Sequence, residues 1–244
     1  MSKFPGKNAI ILINGYNFST YASAFDTEAN TNPIEVTGFT DGCKNFIPGM
    51  NSATVLADMF WDSTAGSVHA ALGNPQTVNG NVTILPEGYT LGASSINLPF
   101  TQANYSPKGT PDSALTVGTL NFISYGDNAG LEYGNVLTHG TITNTTTSTA
   151  FLHAADAVTA DCAGTLHIWT APAADRYVVK IQHCATEGGV YADLVTFTLD
   201  GSAVAAERVA VASGTINKYV KVVATRTGAG NNPFGFTVHF WKNA

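Results

Sequence analysis

Glycine, threonine and asparagine interrupt this chain about every 8 to 12 residues, and the segments between them are short and alternate apolar with polar side chains. That spacing leaves no room for long helices and demands many short strands joined by tight turns, which is the pattern of an all-β fold. The clearest strand is expected at Phe234–Phe240, where Phe234, Phe236, Val238 and Phe240 point one way and Gly235, Thr237 and His239 the other. Tyr177, Val179 and Ile181 alternate in the same manner, as do Val195, Phe197 and Leu199. Further strands are expected at 9–13, 35–39, 54–60, 81–85, 115–124, 132–143, 165–170, 207–211 and 218–225. One helix of about nine residues is expected, with Ser63 as N-cap, Val68, Ala71 and Leu72 on one face and Gly73 as its end.

Composition narrows the function. Of 244 residues only 11% are charged, with 11 Lys plus Arg against 17 Asp plus Glu and a net charge of −6; soluble domains average about 25% charged. A nucleic-acid grip built on clustered Lys and Arg is excluded. Disorder is excluded as well, because 44% hydrophobic content can offset the ordering entropy. The surface must be made of Thr, Asn, Ser and Gly, as in a chain that hides surface against copies of itself or in an ordinary Thr-rich β domain. No apolar run is long enough to span a membrane. The five-residue run Ala9–Ile13 is too short for a secretory core, so retention in a cytoplasm is expected. Cys43, Cys162 and Cys184 form neither an even set nor a CxxC motif and are expected to be reduced, a Cys162–Cys184 bridge being the alternative.

The stretch NTTTSTA at 144–150 lacks apolar anchors and reads as a linker. Residues 1–144 carry four basic and ten acidic side chains, whereas 145–244 carry seven of each, so all the net charge lies on the first part. Residues 86–113 form a second Pro/Gly/Ser-rich stretch with short apolar islands, expected as a projecting hairpin or a functional loop.

No catalytic constellation emerges. There is no GxSxG elbow, and His183 and Cys184 are adjacent on an expected strand, aimed at opposite faces. His139, His153, His167 and His183 lack the short-range pairing of a metal site and are expected as hydrogen-bonded or solvent-facing side chains. Asp58 and Asp62 are a candidate carboxylate pair, with the alternative that Asp62 begins the helix. No metal, no cofactor and no enzymatic activity are expected.

Two regions carry a resemblance. The first contains Gly6-Lys7, Asn14-Gly15-Tyr16, the Ser19–Tyr21 turn, the Glu35–Phe39 segment, the Lys44–Gly49 turn and Phe60–Asp62. The second contains VVKIQHCATEGGVYADLVTFT followed by AERVAVASGTINKYVKVVATRTG. In that order they resemble the N- and C-terminal halves of the major tail (tail tube) proteins of siphophages and related prophages. Cys184 stands where that family usually has Ser, and Tyr191 where it usually has Trp. The resemblance implies an all-β chain: a tail-tube-type β-sandwich or barrel with one short flanking helix over 1–144, followed by a second β-sandwich module over 145–244 on the tube exterior. It implies a virion tail protein, assembled in the host cytoplasm. Its copies would close into rings, usually hexamers, stacked into a tube through which DNA passes without specific binding, with tape measure, terminator and distal tail proteins as further partners and no membrane.

On that reading an acidic lumen would repel the DNA backbone, with Asp26, Glu28, Glu35, Asp41, Asp112 and Asp127 as candidates. Contacts between copies would use apolar residues of weak periodicity: Phe46, Ile47, Pro48 and Met50, and Ile96, Leu98, Phe100 and Tyr105. The alternative is that these side chains fold back on their own domain. The N-terminal arm, Ser2–Lys7, is a further candidate contact. Two other functions stay open: a capsid decoration or cement protein, and a carbohydrate-binding β-sandwich using Trp61, Trp169 and Trp241.

Overall fold

The computed structural model describes residues 6–38, 42–74, 79–126 and 130–242. After a 3₁₀ turn at Gly6–Asn8 come β1 (Ile10–Ile13), β2 (Tyr16–Asn17), β3 (Ala22–Glu35), β4 (Phe46–Phe60), the helix α1 (Val68–Leu72), β5 (Asn79–Leu85), β6 (Ser94–Gln102), β7 (Pro107–Lys108) and β8 (Thr116–Ser124). The chain continues through β9 (Glu132–Ile142), β10 (Thr146–Thr147), β11 (Phe151–Leu152), β12 (Val158–Thr170), β13 (Arg176–Cys184), β14 (Ala192–Thr196), β15 (Ala205–Ile216), β16 (Tyr219–Thr227) and β17 (Phe234–Lys242). The protein is all-β, with one short α-helix among the described residues, and every strand pairing described is antiparallel.

Several expectations are corrected. The segment expected as a strand from Glu35 contributes only its first residue, because β3 ends there and 36–38 have no regular structure; Phe39 lies outside the described residues. The helix has five residues, and its N-cap position is Ser67, not Ser63. Asp62 builds the turn before it: its Oδ1 accepts the Thr64 amide and hydroxyl, both at 2.7 Å. Gly73 does end the helix. Part of 144–150 is strand β10, paired with β16, and 86–113 contains β6 and β7.

Contacts divide the chain into two compact units: Met1–Thr20, Gly80–Asn97 and Glu132–Ala244 in one, Tyr21–Asn79 and Leu98–Leu131 in the other. This division follows strand pairing rather than the linear boundary expected near 144, since β9 pairs along its length with β17.

In the first unit one sheet has the order β15-β12-β17-β9-β6-β5-β1-β2, with β6 entering through its first residues. Asn14 and Gly15 join β1 to β2 with φ of 50° and 89°, the pair of left-handed conformations that a tight hairpin turn needs. The sheet curls back on itself: a Cβ on Gly15 would lie 2.5 Å from the Ile168 carbonyl oxygen and 2.7 Å from that of Ala205, so only glycine fits beneath β12 and β15. A second sheet, β10-β16-β13-β14 with β11 also on β16, packs face to face against it. The core between them is the expected alternating set, with Tyr177, Val179 and Ile181 facing Leu166, Phe234, Phe236, Val238 and Phe240. The opposite face of β17 is buried too, but by polar residues: Thr237 and His239 are each 1% exposed.

In the second unit β4 pairs β3 on one edge and β8 on the other, while β7 and the end of β6 pair the far edge of β8. Its core holds Ala53, Val55, Ala57, Met59, Leu98, Phe100, Leu120 and Phe122, with Val68 and Leu72 of the helix. The Phe100 and Phe122 rings meet edge to face at 4.6 Å. Where β8 bulges opposite Asp58, Thr119 has a φ of 45°, unfavourable for a β-branched residue, and its amide donates to Asp58 Oδ1 at 2.6 Å. Thr119 is exposed, so Thr119→Gly relieves the strain without opening a cavity. It should stabilise this unit by about 1 kcal/mol, read as a raised denaturant midpoint with unchanged slope.

Candidate self-association surface

The strands β3 and β4 form a hairpin far longer than the sheet that supports it. They pair from Ala22↔Met59 out to Glu35↔Phe46, but β8 covers β4 only from Thr54 to Phe60. The inner part is anchored because Ala53, Val55, Ala57 and Met59 alternate into the core. The outer part, residues 31–35 against 46–51, is a two-stranded ribbon with an open edge on each strand among the described residues. Isolated ribbons of this kind are marginally stable in water.

Along this ribbon the apolar side chains stand in solvent: Ile34, Val36, Phe46 and Ile47 are 47–54% exposed and Met50 is 87% exposed. Pairing Ile34 with Ile47 puts two of them side by side. The far end is tied by polar contacts: Val36 N–H donates to the Asn45 carbonyl at 2.9 Å, Asn45 N–H to Thr37 Oγ1 at 3.1 Å, and Lys44 Nζ to Glu35 Oε2 at 2.9 Å. A bulge interrupts the register between Thr31 and Pro33, with Gly49 and Met50 as the extra length on β4. Gly49 is required there, because a Cβ would lie 2.0 Å from the Asn32 carbonyl oxygen. Gly49→Ala should therefore distort the ribbon with little effect on the unit's melting temperature, and raise any critical concentration for self-association about tenfold, read by sedimentation.

The expected contact residues separate into groups. Phe46, Ile47 and Met50 are exposed on the ribbon, and Pro48 lies on the same strand in register with Pro33. Leu98 and Phe100 are fully buried in their own unit, so for them the fold-back alternative holds. Ile96 is half-buried beside Tyr133, and Tyr105 is half-buried with its hydroxyl 2.9 Å from His69 Nδ1. Sequence reasoning missed Ile34 and Val36 as exposed contacts: 30–34 is too polar to read as a strand, and Val36 was placed inside the strand expected at 35–39.

Among the acidic candidates, Asp26 and Glu28 are exposed on one face of β3, and Asp112 is exposed in a turn. Glu35 is exposed and ion-paired with Lys44 at 2.9 Å. Asp41 and Asp127 lie outside the described residues. Asp58 and Asp62 serve local structure, Asp58 at the bulge and Asp62 before the helix, where the Thr64 bonds hold its carboxyl below the usual range. Of the tryptophans, Trp61 sits 5.4 Å from His69, and Trp169 stacks at 5.5 Å on His139, which itself stacks on Tyr89. Cys43, Cys162 and Cys184 are free. Among the described residues no cluster of three metal-ligating side chains occurs, and no helix is long and apolar enough to cross a membrane.

No protein-family model matches the sequence, and no curated protein does. Solved structures give partial likenesses. A chain of the virion of a native gene transfer agent particle overlaps at TM-score 0.43 and 13% identity, covering 54% of this chain and 98% of that one. A chain of the tail of an empty gene transfer agent particle, with C6 symmetry, gives TM-score 0.41 and 14% identity over 54% of this chain and 98% of that one. A chain of infectious bursal disease virus, Gx strain, gives TM-score 0.23 and 10% identity over 97% and 56%.

Proposed function

We propose that this chain is a structural protein of a phage-type virion tail, whose copies close into rings, six to a ring, that stack into a tube through which DNA passes. The observation that carries this reading is the outer β3–β4 ribbon: open on both edges and lined by Ile34, Val36, Phe46, Ile47 and Met50. A long apolar ribbon without cover is an aggregation hazard unless copies of the same chain are its cover. Ring closure and stacking supply that cover in a self-limiting geometry. The tail-tube motifs, the all-β fold and the scarcity of charge support the same reading, since unpaired charges at an interface core are costly.

The contact between copies would lie on the unit of residues 21–79 and 98–131, which carries the ribbon. Among the described acidic candidates, the exposed Asp26, Glu28 and Asp112 would face passing DNA and repel phosphate rather than bind it. Tape measure, terminator and distal tail proteins would meet the tube at its core and ends. Immunogold labelling of particles that carry the protein tests this location. Label along tails is expected; label confined to heads would establish the decoration reading instead.

A further inference from the structure

Independently of assembly, the curled sheet of the first unit encloses a polar layer in which two histidines are central. His167 on β12 and His239 on β17 are 0% and 1% exposed, and they lie diagonally across one strand pair on the face opposite the apolar core. His167 Nδ1 accepts the Gly15 amide at 3.2 Å, which places its proton on Nε2, 2.7 Å from Thr83 Oγ1. The Thr83 hydroxyl donates to Asn97 Oδ1 at 2.8 Å, and Asn97 Nδ2 donates to Glu132 Oε2 at 2.7 Å. Arg208 Nε closes the chain on Glu132 Oε1 at 2.7 Å. Every link thus has a fixed direction, set by a backbone donor at one end and a carboxylate at the other.

His239 Nδ1 bonds Ser95 Oγ, while its Nε2 is buried without a partner among the described residues. Its cross-strand neighbour Thr165 also has an unpartnered hydroxyl, and Thr165 in turn pairs with Arg208. A second proton on His167 would have to enter at Nδ1, donor against the Gly15 donor. On His239 a second proton would add a positive charge to a buried ring, which His167 and Arg208 already oppose. The titratable and charged groups around the two rings are each other, Arg208 from β15, Glu132 from β9, and His139 from β9, which bonds Thr237. β1, β2, β5 and β6 carry no charged residue. Burial, joined at His239 by the neighbouring His167 and Arg208, pushes both imidazoles down to about 3.

We propose that His167 and His239 form an acid-operated latch: neutral, they hold the Asn14–Gly15 turn, β5 and β6 against β12 and β17, and their protonation releases that closure while the apolar sandwich of β13 and β16 stays shut. The sign follows from linkage. The depressed imidazoles keep the closed state favoured above the ordinary histidine value of about 6.5, and that advantage is lost as pH falls from there toward about 3. Between pH 7 and 4.5 each imidazole multiplies the opening equilibrium by roughly 80, and the two together by about 10³–10⁴.

Hydrogen exchange on the full chain tests the latch, with rates corrected for the intrinsic pH dependence of amide exchange. At pH 4.5 the Gly15 amide and those of β5 should lose protection by that factor relative to pH 7, while β13 and β16 keep theirs. In His239→Gln the loss should shrink to roughly 10². Unchanged protection at Gly15 and β5, or an equal loss in β13 and β16, would overturn the latch; wild-type exchange decides this even if the variant does not fold.

Discussion

Ile47→Asp combined with Met50→Asp should leave the chain folded and monomeric at concentrations where the parent assembles. Ile47 is 48% and Met50 87% exposed, so the folded chain loses only a cross-strand contact with Ile34, worth about 0.2–1 kcal/mol. In an assembly the same side chains would be covered, and each new carboxylate would have to be stripped of water at an apolar contact, at several kcal/mol apiece. The asymmetry repeats at every copy of a ring, so a folding cost near zero becomes complete loss of association. Sedimentation velocity and thermal unfolding on the same sample check it. A monomer melting within about 4 °C of the parent is expected, whereas normal assemblies would remove the ribbon from the interface.

The largest effect on folding is expected from Glu132→Ala. Glu132 is 3% and the Arg208 side chain 13% exposed, and the carboxylate accepts from both Arg208 and Asn97. Removing it leaves a guanidinium enclosed without its counter-charge and an amide without its acceptor, a loss of about 3–5 kcal/mol. For a chain of this size that lowers the melting temperature by about 10 °C. Replacing both partners, Glu132→Leu with Arg208→Met, should recover most of the loss, because no charge is then left buried. A single variant costing under 1 kcal/mol would show that water reaches the pair.

Sequence legibility followed the physics of each strand. Phe234, Phe236, Val238 and Phe240 were readable because apolar burial on one face writes a two-residue period. β3 left no such trace: most of ASAFDTEANTNPIE is exposed, and the strand exists through its ladder to β4. β6 was hidden for the opposite reason, since Ser95 and Asn97 are buried by hydrogen bonds rather than by hydrophobicity. The helix start was misplaced because Asp62, not Ser63, organises the turn before it. Of the contact candidates, Phe46, Ile47 and Met50 were picked as apolar residues between glycines, and all three are exposed on the ribbon. Leu98 and Phe100 were misread for another reason: they lie in the Pro/Gly/Ser-rich stretch 86–113, which reads as loop, yet β6 carries them with Pro99 into the core. The histidine layer was illegible because Gly15 and His167 are 152 residues apart.

Electron microscopy of the purified chain asks most directly whether copies of this protein cover one another's ribbons. Closed annuli, stacked coaxially around an open channel wide enough for duplex DNA, are the expected image. A chain that stays a dispersed monomer at every concentration, or that associates only with preformed capsid shells, would contradict it.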